Sequence, residues 1–407
     1  MMPRECVDIL VIGAGVAGAT AALSAASDAA GRANRILLID RAAWPREKVC
    51  GCCLGARGVS ALLAAGVSRG ELATASIALE TAQVRFGGRS LDLALDRSRP
   101  GMVIGRAQLD SIIVQHALAN GVAFESSTSA RIGRSREGDF WPVQLTNGTS
   151  HRTIHASTVI VADGLAGRSL DDVSGFEPVV ARRARMGVGA TAKWSRVTTI
   201  DGADALPDGR VVLCAARGGY VGLVRLPGGQ VDIAAAMDPA LVRSAGGPAA
   251  LVASMLQDAG LQPSGLLPER FLGTALLTRS RSRLAAPGLL VVGDAAGYVE
   301  PFTGEGMTWA ACGGHFAGVL AARHFGDELA AAWRVWHAEN IRATQRTCRI
   351  IAAGLRVPWL GEMVVAAASA SGMIRTLAQK VARSLSDEPA VTRQTTHRTP
   401  ITEQGHA

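Results

Sequence analysis

The strongest constraint on the fold of this chain sits near its start, between Asp8 and Asp40. Asp8-Ile9-Leu10-Val11-Ile12 reads as a short buried strand that runs straight into Gly13-Ala14-Gly15-Val16-Ala17-Gly18, a G-x-G-x-x-G turn. An alanine-rich helix is predicted from Ala17 to Ala29. A second apolar strand, Arg35-Ile36-Leu37-Leu38-Ile39, then ends on Asp40, 22 residues beyond Gly18. In such a βαβ unit Gly13 serves the tight turn, Gly15 the close approach of backbone to a pyrophosphate, and Gly18 the packing of helix on strand. The helix N-terminus offers unpaired N–H groups and partial positive charge to the phosphates. Asp40 stands where an acid accepts the hydroxyls of an adenosine ribose.

Composition narrows the rest. At 407 residues the chain exceeds one ordinary core and suits two domains. The formal charge of +8 points to anionic cofactors or to peripheral contact with anionic membrane lipids. No basic block is interleaved with aromatics, which argues against nucleic acid as a partner. Seven cysteines, an odd number in a long chain, speak against a secreted disulfide framework. Ile9 to Ser27 is a charge-free run of 19 residues, long enough to imitate a membrane span, but it carries the nucleotide glycines and reads as strand plus helix. Glu5 and Asp8 spoil the basic region a signal peptide needs, so the cytoplasm is the expected compartment.

Along the chain, Arg41 to Leu54 reads as a loop carrying Cys50, Cys52 and Cys53. C-x-C-C without a second ligand pair is not a zinc spacing, and no metal is expected. Strands are predicted within residues 77–95 and 102–106, a helix over 107–120, a β-meander over 130–155 and a buried parallel strand Thr158-Val159-Ile160-Val161-Ala162 that ends on Asp163-Gly164. From residue 182 to about 283 the texture becomes longer alternating strands with one amphipathic helix over 249–260, an antiparallel sheet inserted in the first domain. Leu289 to Asp294 is a further strand ending on Gly-Asp, followed by a helix over 307–325. These limits divide the chain into a dinucleotide domain (1–76, 101–171, 286–325), a substrate domain (77–100, 172–285), a C-terminal helical region (326–385) and a polar, disordered tail (386–407).

Three separated signals coincide: the glycine turn with Asp40, Val161-Ala162-Asp163-Gly164, and Gly293-Asp294-Ala295-Ala296-Gly297 with Pro301-Phe302-Thr303-Gly304-Glu305-Gly306-Met307. Together they resemble the FAD-dependent aromatic hydroxylase superfamily. Pro45-Arg46-Glu47-Lys48-Val49-Cys50-Gly51 is most similar to its geranylgeranyl reductase-like branch. The resemblance implies an α/β, glutathione-reductase-type FAD-binding Rossmann fold with an inserted antiparallel-sheet substrate domain and C-terminal helices. It implies FAD as cofactor and NAD(P)H as transient reductant. By resemblance, Arg41 flanks the adenine, Arg106 reaches the cofactor from the start of its helix, Asp163 and Gly293 belong to the cofactor motifs, and Asp294 accepts from the ribityl chain. Gly304, Gly306 and Met307 open a helix whose N–H groups face the flavin. Pro301 lies beside the isoalloxazine, and Cys50 with Arg46 in the same loop is expected at the reacting end, Cys50 as a tuning group or proton donor.

Two departures refine this. Asp163-Gly164-Leu165-Ala166-Gly167-Arg168-Ser169 lacks the usual Ser-x-x-Arg, with Arg168 as a substitute, and the W-x-W-x-I-P segment of flavin halogenases is missing. Two reactions remain for a small lipophilic or aromatic substrate. One is hydroxylation of a phenolic or lipophilic molecule through a flavin C4a-hydroperoxide; the other is reduction of alkenes in a prenyl or lipid chain. A flavin-binding sensor or scaffold is the non-enzymatic alternative. The prenyl reductases' Y-x-W-x-Y/F segment is replaced here by Tyr220-Val221-Gly222-Leu223-Val224, which tips the expectation to a monooxygenase.

Overall fold

The computed structural model describes residues 5–28, 35–87, 89–265, 267–300 and 304–354. Its centre is a parallel sheet in the order Leu289–Val291, Ser150–Val161, Glu5–Ile12, Ile36–Ile39, Ala123–Glu125. Ile9 pairs with Ile36 on one side and Thr158 on the other, and Val159 pairs with Leu289. These strands are covered on both faces, which is why they read as unbroken apolar runs instead of alternating ones. Ile9 to Ile12, Leu37 to Ile39 and Val159 to Val161 are all buried. The charge-free run near the start divides into strand Glu5–Ile12 and helix Val16–Ser27. Among the described residues no helix is long and apolar enough to cross a membrane.

Helix Val16–Ser27 packs on helix Gly306–Arg323 through glycine. A methyl group on Gly314 would lie 2.2 Å from the Ala17 carbonyl oxygen, and one on Gly318 would lie 2.2 Å from that of Ala21. The small residues of both helices bring the two backbones together, so the N-termini of both helices open on the same groove. The chain continues into helices Gly326–His337 and Ala343–Gly354, joined by a π-turn at Ala338–Arg342. Trp333 is fully buried and its indole N–H donates to the Val291 carbonyl at 3.2 Å, fastening this arm to the parallel sheet. The rest of the expected C-terminal helical region and the tail lie outside the described residues.

The second layer is a seven-stranded sheet: Leu272–Leu276, Met186–Ala192, Val231–Met237, Gly219–Arg225, Arg210–Ala216, Thr81–Phe86, Arg89–Ala94. It is antiparallel except for one pair, since Arg210–Ala216 runs parallel to Thr81–Phe86. The expectation of a purely antiparallel sheet is corrected there. Thr81–Phe86 arrives from a distant excursion of the chain, not from a hairpin, and a long connection permits parallel pairing. Alternation sets the two faces. Val212, Val221, Leu223 and Ile233 join Val252, Met255 and Leu256 of helix Pro248–Asp258 in one core, while Val211, Leu213, Gly222, Val224 and Ala234 face the parallel-sheet domain. Residues 102–106, read as one strand, divide into strand Gly101–Val103 and a helix that starts at Arg106.

Candidate functional site

Between the two sheets lies a cavity of about 300 Å³. Gly15, Val16, Ala17, Cys50, Arg106, Asp294, Gly304, Gly306 and Met307 line one side; the inward face of the seven-stranded sheet lines the other.

The glycine turn is built as its spacing requires. Gly13 has φ +104, and a methyl group on Gly18 would sit 1.8 Å from the Gly13 carbonyl oxygen. Gly15 is the N-cap of its helix, with no side-chain cap and no acid in the first turn, so the helix N-terminus presents bare N–H groups. Two guanidinium groups stand over it. A methyl group on Gly15 would meet Nη2 of Arg46 at 3.0 Å and Nη2 of Arg106 at 3.5 Å. Arg106 grips the fully buried Asp110 through Nε at 3.2 Å and Nη2 at 2.9 Å. Arg46 reaches Asp40 at 3.2 Å and Asp110 at 3.6 Å.

Arg46, expected with Cys50 at the reacting end, stands over the glycine turn, where Asp40 and Asp110 hold its charge. Asp40 does more than await a ribose. Its Oδ2 accepts the Ala14 N–H and its Oδ1 the Ala42 N–H, both at 2.9 Å, so it braces the glycine turn. Arg41 donates to the Ala166 carbonyl at 3.1 Å and ties its loop to the Asp163-Gly164 turn. Asp163 faces away from the cavity: its Oδ2 accepts the backbone N–H and the hydroxyl of Ser169 at 3.1 and 2.7 Å. Burial raises its carboxyl above the usual range against the pull of those donors. Through these bonds Asp163 shapes the loop that follows it. Arg168 pairs with Asp171 at the surface.

At the other end, Gly293 has φ +60 and approaches Ala17, and Asp294 lines the cavity with Lys48 Nζ on its Oδ2 at 3.2 Å. Gly304, with φ +76, and Gly306 lead into the second helix, which again has no side-chain cap. Glu305 at its N-cap is buried, and burial, opposed by Arg57, lifts its carboxyl to about 7. Pro301 lies outside the described residues.

Cys50 lines the cavity, as expected. The Cys52 N–H donates to its sulfur at 3.4 Å. Hydrogen bonding from the Cys52 side chain, with Arg106 nearby, outweighs burial and brings the Cys50 thiol down to about 6. A lowered thiol favours the thiolate, the form that suits the expected tuning role.

Lys48, Glu305 and the Arg106–Asp110 clamp are functional features that the sequence reading passed over. Arg106 and Asp110 at i,i+4 carried a readable signal. Lys48 and Asp294 lie 246 residues apart and gave none.

These residues fit an FAD. Glycine-made space lies over an uncapped helix, with Arg46 and Arg106 placed to meet a pyrophosphate; Asp294 lies further along the groove, and a second uncapped helix ends beyond it. Comparison with known proteins agrees. Residues 6–200 match the FAD binding domain family model. The chain is 26% identical over 397 residues to menaquinone reductase of Mycolicibacterium smegmatis, covering 94% of this chain and 93% of that protein. It is 25% identical over 352 residues to digeranylgeranylglycerophospholipid reductase of Methanocaldococcus jannaschii, covering 84% and 82%. Among solved structures, the flavin-dependent brominase Bmp2 superposes with a TM-score of 0.71 at 15% identity over 93% of this chain and 98% of that one, a likeness of fold. Over residues 6–200 the protein carries an FAD binding domain, as an FAD-dependent oxidoreductase requires.

Proposed function

We propose that this oxidoreductase hydroxylates an uncharged, lipophilic molecule with a phenolic ring. The observation that carries the reading is the wall opposite the cofactor side. Gly187, Gly222, Ala234 and Ala236 leave it nearly flat, and Tyr220 and Thr274 are its only polar side chains among the lining residues described. A flat, dry wall suits a planar ring. Gly222 stands where the prenyl reductases' signature has a tryptophan, so the slot is widened at that point.

Bound FAD supplies the redox chemistry: it takes electrons from NAD(P)H and delivers them to oxygen or to an organic acceptor. Arg46, Arg106 and the first helix would hold its phosphates, Asp294 its ribityl chain, and the helix from Gly306 would turn bare N–H groups toward its ring. The chain's own groups at the reacting end that can exchange a proton near neutral pH are Cys50, lowered to about 6, and Glu305, raised to about 7. Ring hydroxylation benefits from a base that ionises the phenol, whereas alkene reduction needs an acid that delivers a proton to carbon.

The second reading, reduction of a double bond in a lipid, is favoured by the similarity to the two reductases above. One experiment separates the two. The FAD-loaded enzyme is given NADH or NADPH with alkyl-substituted phenols and with prenylated quinones, in air and without oxygen, and product masses are read. A phenol that gains one oxygen atom, in air only, is the expected outcome. A prenylated product that gains two hydrogens without oxygen overturns it in favour of reduction.

A further inference from the structure

Behind the cofactor groove lies a second, smaller hollow of about 10 Å³. Asp294, Tyr298 and Gly306 line both spaces, so the hollow backs directly on the groove. Its far wall is the C-terminal arm, from which His337, Ile341 and Gln345 face it at four-residue steps. An unbroken α-helix turns about 100° per residue, so such a row would drift by about 40° at each step. The wider π-turn at Ala338–Arg342 offsets that drift and keeps the three in line. Two polar atoms here are unserved. Trp309 is 4% exposed and His337 6%, and neither the indole Nε1 of the first nor Nδ1 of the second has a hydrogen-bond partner among the described residues. The neighbouring donors are already spent: Trp333 donates to the Val291 carbonyl, and the Gln345 amide donates to the Gly297 carbonyl at 3.3 Å. Burial, reinforced by the Arg342 charge, brings His337 down to about 4, so its ring is neutral at neutral pH. Two unmatched buried polar atoms in one polar hollow are the setting in which ordered solvent belongs.

We propose that this hollow is a binding site for a single buried water, which accepts the Trp309 N–H, bonds to Nδ1 of His337, and so bolts the C-terminal arm to the start of helix Gly306–Arg323. Volume sets the ligand: the space holds about one water and nothing larger. Chemistry agrees. An indole can only donate, whereas a neutral imidazole nitrogen donates or accepts according to its tautomer, and water serves both. A cation would meet the Trp309 N–H head-on, and an anion is disfavoured because Asp294 shares the lining. Trp309 lies in the first turn of its helix and His337 is the last residue of Gly326–His337. The arm contributes none of the residues lining the groove, so the water would let it steady the cofactor site at one remove. The arrangement is independent of the reaction the flavin performs.

The test begins with a crystal structure of the FAD-loaded protein fine enough to show ordered solvent. One water within about 3.2 Å of both Trp309 Nε1 and His337 Nδ1 is expected. A hollow without density, or a protein group bonded to either atom, overturns the proposal. FAD titration then measures the bridge. Trp309→Phe and His337→Leu each remove one partner and should weaken FAD binding about fivefold. The double variant should also lose only about fivefold, because once one end is cut the other has nothing left to lose. A double loss near the product of the singles, about 25-fold, rejects the bridge, as does unchanged affinity in His337→Leu. His337→Asn keeps a polar atom near Nδ1 and should stay within about twofold of wild type. If it binds FAD as weakly as His337→Leu, the site reads only ring volume and the water is rejected. Should a variant not fold, the wild-type density decides by itself.

Discussion

At the phosphate end of the cavity, Asp40, Arg46, Asp110 and Arg106 form one connected chain of ion pairs, each carboxylate also serving a backbone or a second guanidinium. At the sheet end, the wall is glycine, alanine and aliphatic side chains. The first region fixes a constant ligand by charge and leaves almost nothing free to vary. The second recognises by the absence of side chains, where a single methyl group changes the shape on offer. Cofactor and substrate specificity are thereby separated in both chemistry and position, and substitutions should separate them too.

The largest effect belongs to Gly18→Leu. Its Cβ would overlap the Gly13 carbonyl, so helix and turn must part. Purified protein should be colourless, with a stability loss of about 4 kcal/mol or more by urea unfolding; a yellow, FAD-replete variant would break the assignment of this end. Next is Arg106→Ala, which strips Asp110 of its fork. The expected loss is about 3 kcal/mol, at the low end for a broken buried pair because Arg46 remains 3.6 Å from Asp110. A loss below about 1 kcal/mol would mean the clamp is ornamental.

Glu305 sharpens the comparison through pH. Its folded value of about 7 lies above the ordinary 4.5. A raised carboxyl contributes its full stability below the unfolded value and loses it as pH climbs from there through the folded value. Wild type should therefore weaken between those limits. Glu305→Gln should not, gaining at most about 3 kcal/mol relative to wild type near pH 8 and nothing near pH 4. Parallel unfolding curves at both pH values would refute the shift. Smallest in stability is Gly222→Leu, whose Cβ would meet Leu213 at 3.4 Å, an ordinary contact. Melting temperature and FAD affinity should hold while KM for a ring substrate rises about tenfold. A parallel loss of FAD would collapse the distinction between the two ends.

What could be read from the sequence follows the same divide. The phosphate end rests on local spacing: the glycine turn, its helix and Asp40 lie within one βαβ unit, and all three stand where their pattern put them. Arg46 stands over that turn because its partners are set by tertiary packing, not by its neighbours Lys48 and Cys50. The sheet end was legible as alternating strands, but not as a cavity, since its wall joins Ala82, Gly187, Gly222 and Ala234 from separate strands. Asp163 shows what spacing does not convey: the acid stands at its place in the motif, and its carboxylate accepts from Ser169.

The contact of Gly314 and Gly318 with the backbone of Ala17 and Ala21 has a mechanical consequence. Two helices this close cannot slide or pivot without collision, so their starts, at Val16 and Gly306, are held apart at a set gap. The pair works as a caliper. With FAD bound, one jaw would meet the phosphates and the other the far ring, and a mononucleotide, too short to reach both, would be gripped at one end only. Cofactor length would then be gauged by the spacing of two helices before any single hydrogen bond is counted.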